Sequence, residues 1–102
     1  MAQTVVYGML QEEKQRNLEI QETYRQEIAA LPKGSIVVKN ISWNNYYYLK
    51  YRQNNNVKTD YIGKNEKAVE SIRREIGKRK HLQNVLKRLR LEYKQICKIV
   101  KD

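Results

Sequence analysis

The chain has 102 residues, 21 Lys+Arg against 11 Asp+Glu, and a formal net charge of +10. Hydrophobic residues make up 40% and charged residues 31%, so composition excludes a disordered chain, and the length predicts a single domain over residues 1–102. One Cys and one His exclude an intrachain disulfide, a Cys-based zinc site and a His–His metal pair.

No apolar run approaches the roughly 20 residues of a membrane span. The N-terminus lacks the basic start and apolar core of a signal peptide. A cytoplasmic protein of a bacterial host cell, with no cofactor, is the expectation.

Residues 4–31 read as a helix. Thr4 fits the N-cap, and Val6, Leu10, Ile20, Tyr24, Ile28 and Leu31 fall on one stripe. Glu13 and Asn17 make the middle of that stripe polar. Pro32 ends the helix, because the residue before a proline avoids helical angles.

Residues 35–62 read as a three-stranded antiparallel meander, with turns at Ser42-Trp43-Asn44-Asn45 and Asn54-Asn55-Asn56. Alternation puts Tyr47, Leu49 and Tyr51 on one face and Tyr46, Tyr48, Lys50 and Arg52 on the other. In the third strand it groups Val57, Thr59 and Tyr61.

Residues 65–101 read as a long helix with Asn65 as its N-cap. Val69, Ile72 and Ile76 form one apolar stripe. Leu82, Leu86, Leu89, Tyr93, Ile96 and Val100 form a second, rotated by about a third of a turn. Gly77 lies at the switch, where a bend fits. The fold class is therefore α+β in the order α-β-β-β-α, with the helices folding back as an antiparallel pair. The same seam in a second copy would give a homodimer instead.

The stretches Leu31-Pro32-Lys33-Gly34-Ser35, Tyr47-Tyr48-Leu49-Lys50-Tyr51-Arg52 and Tyr61-Ile62-Gly63 occur in this order, followed by a basic helix. In this they resemble a family of uncharacterised small basic helix–β-meander–helix proteins of bacterial genomes, plasmids and integrated mobile elements. The resemblance spans about residues 31–90 and carries no assigned activity. Some members of that family hold a Cys-rich insertion between the first two strands, a place taken here by Ser42-Trp43-Asn44-Asn45. The resemblance implies a mobile-element setting, in which small proteins without enzymatic motifs act on nucleic acid or host defence complexes.

The charge is uneven. Residues 1–31 carry −2, residues 32–64 carry +5 and residues 65–102 carry +7. Three groups are candidates for an anionic partner. The first is Tyr46, Tyr48, Lys50 and Arg52 with Lys39 and Lys58 on the neighbouring strands, since tyrosines stack on bases while cations meet phosphates. Tyrosines are also ordinary strand residues. The second is Arg73, Arg74, Lys78, Arg79 and Lys80, which point several ways around the helix.

The third is Lys87, Arg90, Lys94, Lys98 and Lys101, whose spacings of 3 and 4 align them on a stripe opposite the apolar seam. An ordinary solvated helix exterior competes with both helical groups. Trp43 is a candidate anchor for a partner. His81 reads as a surface residue and Cys97 as a small packed hydrophobe. No paired carboxylates in the strands, phosphate-cradling Gly loop or Ser/His/Asp arrangement is present, so a non-enzyme is expected. The expected partner is nucleic acid, or an acidic or RNA-bearing protein complex such as a CRISPR effector that an anti-CRISPR protein would block.

Overall fold

The computed structural model of the chain describes residues 5–100. Its elements are α1 (Val5–Ala29), β1 (Ser35–Ile41), β2 (Asn44–Gln53), β3 (Asn56–Gly63) and α2 (Glu66–Ile99). The order and the antiparallel meander are those expected from sequence. Thr4, the expected N-cap of α1, lies outside the described residues. Asn65 caps α2 as expected, its Oδ1 accepting from the Lys67 N–H at 2.9 Å.

The chain forms two compact units, residues 1–30 with 81–102 and residues 31–80. α2 contributes to both and runs through Gly77 without interruption. Its stripe changes within that continuous backbone. Arg79 stands three residues after Ile76 and three before Leu82, and is half-buried. This extra three-residue step rotates the seam.

In the first unit α1 packs against the second half of α2. Asn17 bonds the Leu89 carbonyl, and the Lys14 ammonium lies 6.0 Å from the Tyr93 ring centre. Moving back along α1 is therefore moving forward along α2, the antiparallel arrangement. Ile28, Leu82, Leu86 and Val100 are buried here.

The facing stripe of α1 is Tyr7, Leu10, Lys14, Asn17, Gln21, Tyr24 and Ile28, all buried or half-buried. Val6, Glu13 and Ile20, expected on that stripe, are exposed. Each precedes a facing position by one residue, which is 100° of rotation. The error follows from weighting apolar residues, because two central facing positions are carboxamides.

Those carboxamides form a relay. Arg25 Nη2 donates to Gln21 Oε1 at 3.0 Å, and Gln21 Nε2 donates to Asn17 Oδ1 at 2.7 Å. Asn17 Nδ2 then donates to the Leu89 carbonyl of α2 at 3.0 Å. Asn17 and Gln21 are only 4% and 3% exposed, so each bond replaces water that the seam excludes.

In the second unit the strands lie in the order β1-β2-β3. Ser42-Trp43 and Asn54-Asn55 form the two turns, all four residues with φ between 50° and 69°. Two left-handed central residues define the hairpin turn whose twist suits the strands. Gly34 enters β1 at φ 114°, where a side chain would collide with the Lys50 carbonyl oxygen. Arg79 turns inward and its Nη1 donates to the Leu31 carbonyl at 2.7 Å. Val69 and Ile76 of α2 are buried in this unit.

Asn17→Ala leaves Gln21 Nε2 without its buried acceptor. Urea unfolding should show a loss of about 1–3 kcal/mol. Replacing both residues by leucine should recover most of that loss. Light scattering should then show more than one oligomeric species, since an all-apolar seam accepts other pairings.

Candidate nucleic-acid interface

Cross-strand pairing sorts the side chains by face, because directly opposed residues project to the same side. Lys39 stands opposite Tyr46, and Val37 opposite Tyr48. On the other flank Tyr61 stands opposite Tyr48, Thr59 opposite Lys50 and Val57 opposite Arg52. A register shift between Tyr47 and Tyr48 lets β3 close on β2 with Gly63 opposite Tyr47. Such a bulge re-aims side chains locally.

The result is an aromatic cluster. The Tyr48 and Tyr61 rings are 5.2 Å apart at 53°, and the Tyr46 and Tyr61 rings 6.4 Å apart at 40°. Lys39 Nζ lies 4.8 Å from the Tyr48 ring centre, and Lys64 Nζ 4.9 Å from that of Tyr46. Both distances are within cation–π range, worth about 0.5–1 kcal/mol each at exposed sites. Tyr61 remains 56% exposed while Tyr46 and Tyr48 are half-buried, so the cluster is open to solvent mainly through Tyr61.

This face has no acid. Asp60, the single acidic residue of the strands, stands opposite Leu49 on the other side. There it accepts a hydrogen bond from Tyr51, which raises the phenol above its ordinary value of 10.0. The bond to the carboxylate is the main cause, with partial desolvation and the carboxylate's charge acting in the same direction. Lys58 stands opposite Tyr51 and so lies on that second face, away from the platform it was expected to join.

The helical cations are less coherent. Arg73 pairs with Glu70 at 3.8 Å on the surface. Arg74 borders a depression with Glu66, Lys67 and Glu70. Lys78 and Lys80 are exposed, while Arg79 braces Leu31. Lys87, Arg90, Lys94 and Lys98 are exposed on one stripe of α2. At 100° per residue that stripe lies about a third of a turn from the seam, on its flank rather than opposite it. Lys101 lies outside the described residues. His81 is exposed and Cys97 half-buried.

The structure thus gathers Lys39, Tyr46, Tyr48, Lys50 and Arg52 on one face. Tyr61 and Lys64 join them. Tyr61 was missed: its alternation group was visible, but placing it beside Tyr48 needs the two-residue Asn54-Asn55 turn that the structure shows. Lys64 follows Gly63 and carried no periodic signal. Trp43 is 97% exposed at the β1–β2 turn.

Because the folded phenol titrates above the unfolded one, the Tyr51–Asp60 bond stabilises fully below the unfolded value. That contribution disappears as pH rises through the folded value, above 10.0. In an ultraviolet titration Tyr51→Phe should remove a late-ionising tyrosine. Asp60→Asn should bring that tyrosine back toward the ordinary range.

Residues 9–74 match a protein family described as Domain of unknown function (DUF6788). Neither the curated proteins nor the solved structures gave a match. Among the described residues, no helix is long and apolar enough to cross a membrane.

Proposed function

This chain belongs to the DUF6788 family, and from its surfaces we propose that it is a non-enzymatic protein of a bacterial mobile element that binds nucleic acid through the tyrosine face of its sheet. The observation that carries this reading is the Tyr46–Tyr61–Tyr48 cluster with Lys39 and Lys64 held over its rings. Tyrosine rings accept stacked bases of any identity, and ammonium groups beside them meet phosphates. The absence of acid on that face removes the repulsion a polyanion would otherwise meet.

Ordinary strand tyrosines would account for the ring types alone. They do not account for a face that collects Lys39, Lys50, Arg52 and Lys64 while the sheet's only carboxylate is engaged on the opposite side. Exposed π faces are available only where bases are unstacked, so the reading favours single strands over duplex.

A second reading is an anti-CRISPR inhibitor that docks on a Cas nuclease or its guide RNA complex. The exposed Lys87, Arg90, Lys94 and Lys98 stripe supports it, because it offers a basic surface on the other compact unit. An acidic protein patch would suit that stripe as well as RNA would. Recovery of a Cas nuclease that survives nuclease treatment would favour this reading over the first.

Anisotropy with a labelled single-stranded oligonucleotide tests the first reading. Tyr46→Ala and Tyr48→Ala should each weaken binding about tenfold, the loss of one stacked base. The four platform cations should give a log–log salt slope of about −2 to −3, at roughly 0.7 per phosphate for single strands. Lys39→Ala should flatten that slope by about 0.7. No detectable binding of DNA or RNA at low salt would overturn the reading.

A further inference from the structure

The β1–β2 turn places a bulky residue at a position where the hairpin geometry favours Gly or Asn. Trp43 has φ 69° and follows Ser42 at φ 50°. Left-handed angles suit Gly and Asn, and a bulky residue there is an outlier. The β2–β3 turn uses Asn54-Asn55 at the same two positions. Side-chain packing does not compensate the strain at Trp43, because the indole is 97% exposed. A strained residue held in place by its surroundings is a mark of function.

The surroundings do hold it. The β1–β2 ladder continues to the Ile41–Asn44 pair, while β3 ends with Gly63 opposite Tyr47. The hairpin therefore projects past β3 as a two-stranded arm. Asn40 Nδ2 bonds Asn45 Oδ1 across that arm at 2.9 Å. Residues 40–49 contain no charge, and Lys39 and Lys50 bound them. An indole at the tip of this neutral two-stranded arm lies three residues, roughly 10 Å of extended chain, beyond Tyr46.

We infer that Trp43 is a base-stacking residue that extends the tyrosine platform by one unpaired nucleobase. The ligand class is a single strand long enough to run from the Tyr48–Tyr61 rings to the hairpin tip. This inference rests on the nucleic-acid reading above and adds a second contact to the same site. A neutral tip takes the flat base, and the lysines at its root take the backbone.

Trp43 is the only tryptophan in the chain, so its fluorescence reports on this contact alone. Adding a single-stranded oligonucleotide at low salt should quench it in step with binding measured by anisotropy. Trp43→Gly should raise the melting temperature, since glycine relieves the left-handed strain. The same variant should bind the oligonucleotide about tenfold more weakly. Trp43→Tyr should retain most of the affinity.

Wild-type affinity in Trp43→Gly, with the Tyr46→Ala loss intact, would overturn the inference and leave the sheet-face reading standing. No binding by the wild-type chain would overturn both. A fluorescence change on adding lipid vesicles or an acidic protein, with none on adding the oligonucleotide, would also overturn it.

Discussion

A buried carboxamide decides how this chain closes on itself. Asn17 donates to the Leu89 carbonyl across the helix pair, and Gln21 and Arg25 supply the bonds behind it. An apolar seam tolerates slippage, because one leucine layer resembles the next. A donor that must find one carbonyl does not, which is why a polar residue in a seam fixes register. Here the register sets how α1 pairs with the second half of α2 in the first unit. The relay contributes little net stability, since protein–protein bonds replace bonds to water. Its weight lies in the cost of breaking it while the groups remain buried.

That economy explains what was legible in the sequence. The seam of α2 from Leu82 to Val100 is apolar at nearly every facing position, so spacing alone exposed it. The seam of α1 puts Lys14, Asn17 and Gln21 among its facing residues, and an apolar search drifts by one residue onto Val6 and Ile20. The meander was legible because tyrosine and β-branched runs alternate between short polar breaks. Its first turn was drawn too long, since Ser42-Trp43 lacks the Gly or Asn that marks a two-residue hairpin. Within the candidate site, alternation placed every β2 residue. Lys58 was misplaced because a face cannot be carried across a turn until its length is known.

The charge divides in the same way. A net of +10 on a short chain is a bulk property. In three dimensions the cations have unequal freedom. Arg79 is bound to a carbonyl at the entry to the meander, and Arg73 is shared with Glu70. Among the described residues, two sets are not paired with carboxylates. One is the flank stripe of α2, and the other is the platform on the sheet. The platform combines charge with a part-exposed ring cluster, and that combination separates it from an ordinary solvated helix.

Lys39 and Lys64 lie over rings that a base would need. Magnitudes decide whether they obstruct. An exposed cation–π contact is worth about 0.5–1 kcal/mol. A stacked base is worth about 1–3 kcal/mol. The displaced ammonium is not lost, because a phosphate is attached to the arriving nucleotide and the lysine stem is long enough to follow it. In the proposed binding mode the lysines would cover the rings weakly before a strand arrives and move to its backbone once it is seated. In that mode each ring would exchange a cation for a base, and each cation a ring for a phosphate. Such an exchange favours a ligand that brings both partners at once, which a free aromatic compound or a free anion does not.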